Sequence, residues 1–129
     1  MLRKIAIGFG VIFIVVGILG FVPSLTRHGH LLGIFHVNAA HNMVHILTGA
    51  FAVVCGMASG HAAQIFFRTF GIIYGLVAAL GFIAGNQPVL GILANNLADA
   101  WLHTGIAAAS LFFGFLFRDI SLEHRVQKV

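Results

Sequence analysis

Apolar residues run along this chain in four long stretches separated by short polar punctuation. The stretches cover about 5–22, 34–58, 66–85 and 89–117. Each reaches the roughly 20 apolar residues needed to cross about 30 Å of hydrocarbon. That layer offers no water to backbone N–H and C=O groups, so each stretch is predicted to be a helix. The punctuation is Pro23 to His30 (PSLTRHGH), Ser59 to Gln64 (SGHAAQ) and Asn86-Gln87-Pro88. Connections this short force successive helices antiparallel. The expected fold is all-α: a polytopic up-down-up-down transmembrane bundle of four helices, in one domain over 1–129.

Two of the four stretches carry polar stripes. Asn38, His41, His45 and Thr48 recur at three- and four-residue intervals in the second. Asn96, Asp99, His103 and, further on, Ser110 do the same in the fourth. Such spacing puts each set on one helix face. The stripes also match each other. His45 pairs with His103, His41 with Asp99 and Asn38 with Asn96, at a constant offset of 58. The first and third stretches match as well: FGVIFIVVGILGF from Phe9 resembles FGIIYGLVAALGF from Phe70, at an offset of 61. The chain therefore reads as two parallel two-helix repeats, about 5–58 and 66–117, related by an axis along the membrane normal. Gly10, Gly17 and Gly20, with Gly71, Gly75 and Ala78, are small residues that let helix backbones approach closely in lipid. Gly49, Gly105 and Ala109 are expected to do the same on the polar helices.

Composition agrees. The chain is 60% hydrophobic and 8% charged, where a soluble domain is roughly 25% charged, and its mean hydropathy is +1.03. The formal charge of +4 rests on only seven Lys and Arg. These sit at the ends of apolar stretches, which excludes a nucleic-acid surface. Arg3, Lys4, Arg68, Arg118, Arg125 and Lys128 fall on one side of an alternating four-span chain, against Arg27 on the other. Positive residues favour the cytoplasmic side, so both termini are expected there, with 118–129 a cytoplasmic tail. The first stretch is long for a signal peptide and no A-x-A site follows it, so it reads as a retained helix. The single cysteine, Cys55, excludes an intrachain disulfide and reads as a small core residue.

A carboxylate or charged imidazole at the bilayer centre costs about 3 kcal/mol or more. The two stripes are thus expected to face each other, gathering His41, His45, Asp99 and His103 inside the bundle. At 1.5 Å per residue, His45 and His103 lie about 20 Å from the cytoplasmic ends of their helices. Three chemistries fit this set. Three imidazoles and one carboxylate suit a transition metal: zinc, copper or iron. Asn38, Asn42, Asn95 and Asn96 would then orient the imidazoles, and Tyr74 is placed to reach the same cavity or to pack as an aromatic ring. His45 and His103, at equivalent positions, also suit bis-His ligation of a b-type haem. Finally, the same residues can cross-link helices in a structural or accessory subunit and bind nothing. No nucleophile–base pair or cofactor fingerprint lies outside the cluster, so the pattern leans away from an enzyme. His28, His30 and His36 in the outer loop read as interfacial residues that can also feed an ion inward, while His61 and His124 carry no motif. The expected partner is the lipid bilayer, with a homo-oligomer or a membrane-complex partner open.

Asn38-x-x-His41-Asn42-x-x-His45-x-x-x-Gly49 and Asn96-x-x-Asp99-x-x-x-His103 resemble the paired stripes of a bacterial family of small four-helix membrane proteins classed only as a domain of unknown function. The resemblance covers nearly the whole chain. It implies a four-span fold in a bacterial inner membrane and supplies no activity.

Overall fold

A computed structural model describes residues 1–117. The tail expected at 118–129 lies outside the described residues. Within them the order is α1 (Leu2–Leu19), three two-residue strands β1 (Thr26–Arg27), β2 (His30–Leu31) and β3 (Phe35–His36), then α2 (Ala39–Ala58), α3 (Gly60–Ala84) and α4 (Leu97–Leu111). A wider π-helical turn, Phe112–Leu116, carries α4 on. All four helices are long and apolar enough to cross a membrane, counting α4 to Leu116. Their outer faces carry Val11, Ile12, Val15, Leu47, Val54, Ile72, Leu76 and Trp101, all exposed. The protein is an all-α polytopic bundle.

Packing follows the small residues. A Cβ on Gly10 would overlap Gly49 and Val53, one on Gly17 would overlap Asn42 and Ile46, and one on Gly56 would overlap Arg3 and Ile7. These contacts lay α1 antiparallel on α2. On the other side Gly71 meets Leu111, Gly81 meets Ala100 and Gly114 meets Arg68, so α3 and α4 are antiparallel too. In lipid no hydrophobic effect draws helices together, and such close backbone approach supplies the attraction instead. Gly105 and Ala109 do not join in. Nothing lies within 4 Å of a Cβ on Gly105, and both residues are exposed. The stripe through Asp99, His103, Ala107 and Ser110 is the buried face of α4, and these two residues fall outside it. Gly75 makes only an ordinary contact, 3.9 Å to Ala107.

The core is layered. One end of the bundle is aromatic: Phe66 and Phe67 are buried with Leu2, Ala6, Ala52 and Ala63, and Phe9, Phe70 and Phe113 pack against them. Phe13 and Tyr74 form the next layer. The polar residues occupy the other end.

Helix boundaries differ from the hydropathy at three places. The second break shrinks to one residue. Ser59 is extended (φ −164°, ψ 165°) and its hydroxyl accepts from Ala62 N–H, capping α3 at once. A residue that ends one helix and caps the next needs no further loop. The second and fourth helices start late, at Ala39 and Leu97, and 34–38 and 89–96 are not helical. Leu32-Gly33 and Leu90-Gly91 explain this. Both pairs adopt left-handed backbone, with φ of 53° and 72° in the first and 54° and 71° in the second. Two successive left-handed residues make a tight turn and cannot continue a helix. In each turn the same bond closes: Ile34 N–H to Leu31 carbonyl and Ile92 N–H to Val89 carbonyl, both 3.1 Å. His28-Gly29 makes a third such turn between β1 and β2. The small antiparallel sheet β1-β2-β3 therefore folds beside the mouth of the polar layer.

Candidate metal centre

The polar end is built from two helix starts. Asn38 is the N-cap of α2 and its side-chain oxygen accepts from His41 N–H at 2.9 Å. Asn96 caps α4 in the same way, accepting from Asp99 N–H at 3.0 Å. Each amide nitrogen then crosses to the other half. Asn38 donates to the Ile92 carbonyl at 2.9 Å, and Asn96 donates to the Ile34 carbonyl at 2.8 Å. The next turn repeats this exchange with different chemistry. Asp99 Oδ2 accepts from the backbone N–H of His36 (3.0 Å) and of Asn96 (2.9 Å). His41, at the position matching Asp99, sends Nδ1 to the Ala94 carbonyl at 2.8 Å. A carboxylate meets N–H groups and an imidazole N–H meets a carbonyl, so both segments entering the helices are held by side chains.

Asp99 is therefore occupied at a helix terminus. Its bond to Asn96 N–H completes a capping box, which satisfies N–H groups that a helix start otherwise leaves bare. It is buried, 1% exposed, and it stands outside the set of side chains close enough to share an ion. The asparagines likewise bind backbone. Asn95 Nδ2 donates to the Gly81 and Gly85 carbonyls at 3.0 and 2.8 Å, tying off the end of α3. Asn42 is buried against α1, where a Cβ on Gly20 would overlap its side chain.

Three histidines converge here, His41 at the level of Asp99 and His45 and His103 one turn deeper. His41, His45 and His103 each offer a nitrogen, all within 4.8 Å of one another. Ring centroids are 5.0 Å apart for His41–His45, 5.5 Å for His41–His103 and 6.0 Å for His45–His103. All three are buried, 5–6% exposed. Phe13 stacks on His45 at 5.0 Å and Tyr74 sets its edge against His103 at 5.6 Å. The Tyr74 hydroxyl donates to Thr48 Oγ1 at 3.4 Å. Tyr74 thus lines the cavity and also packs as an aromatic ring, while its own hydrogen bond goes to α2.

The nitrogens can be assigned roles. A carbonyl only accepts, so His41 Nδ1 carries a proton, and in the neutral ring His41 Nε2 then presents a lone pair. His41 Nε2 lies 3.2 Å from His45 Nε2. Two imidazole nitrogens on one tetrahedral zinc, each at about 2.0–2.1 Å, stand about 3.3 Å apart. Among the described residues, His45 Nδ1 and His103 Nδ1 have no hydrogen-bond partner, and neither does Ser110 Oγ further along α4. In the outer loop, the His36 ring stacks on His30 at 4.8 Å and bonds the Asn95 carbonyl at 3.3 Å, so His36 is part of the loop's framework.

A family described as "Domain of unknown function (DUF4383)" matches residues 3–116. The chain belongs to that family. Its match runs from the first turn of α1 to the end of the π-helical turn, so the helices, the two caps and the three histidines all lie within it. No curated protein and no solved structure matches the chain.

Proposed function

We propose that this is a membrane-embedded protein that binds one transition-metal ion through His41, His45 and His103. The observation that carries the reading is the arrangement around His41. Its Nδ1–H is held by a backbone carbonyl at 2.8 Å, and its Nε2 points at His45 Nε2, 3.2 Å away. Metal-binding histidines nearly always donate their other ring N–H to such an acceptor, which fixes tautomer and orientation. Zinc, copper and iron all accept imidazole. Asp99 belongs to the scaffold and lends the region a nearby carboxylate.

Haem fits less well. The cavities beside the histidines measure about 100 and 210 Å³, whereas even drug-sized ligands occupy about 300–1,000 Å³. A structural role without a ligand explains the asparagines and Asp99, whose bonds join the two halves, but gives no account of three buried imidazoles that each bring a nitrogen within 4.8 Å of the other two. The offset of 58 recurs in the crossed hydrogen bonds and in the paired left-handed turns, which supports reading the halves as parallel repeats. Arg3, Lys4 and Arg68 cluster at the end of the bundle where Ser59 lies. The rule for positive residues puts that end in the cytoplasm, in a bacterial inner membrane.

The test is elemental analysis of detergent-purified protein, followed by stripping and reloading. One equivalent of zinc, copper or iron per chain is expected, and none in the protein with His41 and His45 both changed to Ala. Stripped protein that takes up none of the three metals would overturn the reading.

A further inference from the structure

His41 and His45 line two cavities, both largely apolar. One, of about 210 Å³, contains Asp99 and Asn42. The other, of about 100 Å³, lies between α2, α3 and the segment before α4, and all three histidines line it. Its remaining walls are largely apolar, among them Val44, Phe70, Ile73, Val77 and Leu93. Among the described residues, no carboxylate or thiol lines this second chamber. Its hydroxyls, Thr48 and Tyr74, bond to each other, and the Asn95 amide nitrogen is held by two carbonyls. Val44 and Ile73 are 39% and 42% exposed on the outside of the bundle. In a spanning bundle that outside is lipid, so the rim of the chamber meets hydrocarbon.

What such a chamber admits follows from its chemistry, given the metal reading on which this inference rests. Three protein ligands leave a four-coordinate ion one open position, the pattern of reactive rather than purely structural sites. A charged ligand meets a desolvation cost of many kcal/mol while it crosses hydrocarbon, and the ion can offset that cost only after the crossing. A small neutral molecule meets none. The volume holds a molecule of a few heavy atoms and excludes anything drug-sized. We propose that the open position is served sideways from the bilayer through this chamber, and that it takes a small, uncharged, lipid-soluble ligand of the size of a diatomic gas.

Carbon monoxide on the copper(I)-loaded full chain is the probe, in anaerobic lipid nanodiscs. One C–O stretching band per bound copper is expected. Filling the rim with V44F and I73F together should leave copper content unchanged and slow carbon monoxide rebinding after photolysis more than tenfold. I73M, a milder change, should slow it measurably if the double variant does not fold. Azide added to the cobalt(II)-loaded chain should leave its visible spectrum unchanged. Copper bound without a C–O band, rebinding rates indifferent to the rim, or ready azide binding would each overturn the lateral route and leave the metal reading intact. A parent chain that takes up neither copper nor cobalt would overturn both.

Discussion

Two polar layers sit one helical turn apart at the same end of this bundle, and they are finished differently. In the outer layer every bond has its answer. Asn38 and Asn96 cap their helices and cross to the opposite half, and Asp99 takes two backbone N–H groups. In the inner layer the sums are incomplete: His45 Nδ1 and His103 Nδ1 are buried and unpartnered. Burial of polar groups among apolar helices is equally costly in both layers. The contrast separates a clasp, whose groups satisfy one another, from a cluster with ring nitrogens to spare, which we read as the proposed site.

Changing the clasp should affect folding most. Asp99→Leu strips an acceptor from two backbone N–H groups in an apolar setting, at several kcal/mol. The expected outcome is loss of cooperative unfolding in detergent, followed by circular dichroism. Asp99→Asn keeps an oxygen acceptor and should retain the fold and the metal. If Asp99→Asn abolished metal binding with the fold intact, the carboxylate would be a ligand after all and the two layers would be one.

The histidines should behave in the opposite way. His45→Phe, which keeps an aromatic ring against Phe13 and His41, is expected to weaken metal binding at least 100-fold while thermal stability of the metal-free protein changes little. Competition with a chromophoric chelator measures the first and a melting curve the second. A large loss of stability without metal would make His45 part of the clasp.

Asn38→Ala should cost about 1 kcal/mol, the usual worth of an N-cap, plus the bond to the Ile92 carbonyl, with metal affinity reduced only modestly through looser placement of His41. The smallest change is Tyr74→Phe. Its hydroxyl bond to Thr48 is long at 3.4 Å, and losing it should lower stability by less than about 1 kcal/mol.

Much of this was legible in the sequence because polar residues in apolar stretches stand out against their surroundings. The four helices and the meeting of His41, His45 and His103 follow from periodicity alone. The segments 34–38 and 89–96 did not, because LLGIFHV and VLGILAN are as apolar as a helix interior. The recurrence of Leu-Gly-Ile at 32–34 and 90–92 was the available signal of a repeated turn. Helix face, the cost of a buried carboxylate and ligand chemistry together group Asp99 with the histidines. Its spacing from Asn96, cap to third residue, is that of a capping box, and this marks a helix start once the helix is known to begin there. The Ala94 carbonyl that holds His41 carries no sequence signal, since any residue supplies one.

The most direct test of the distinction between layers is X-ray absorption spectroscopy on the zinc-loaded chain. The account predicts three imidazole nitrogens at about 2.0–2.1 Å with one further light ligand, and the loss of that signature in His103→Ala. A shell dominated by carboxylate oxygens, or one unchanged by His103→Ala, would contradict it.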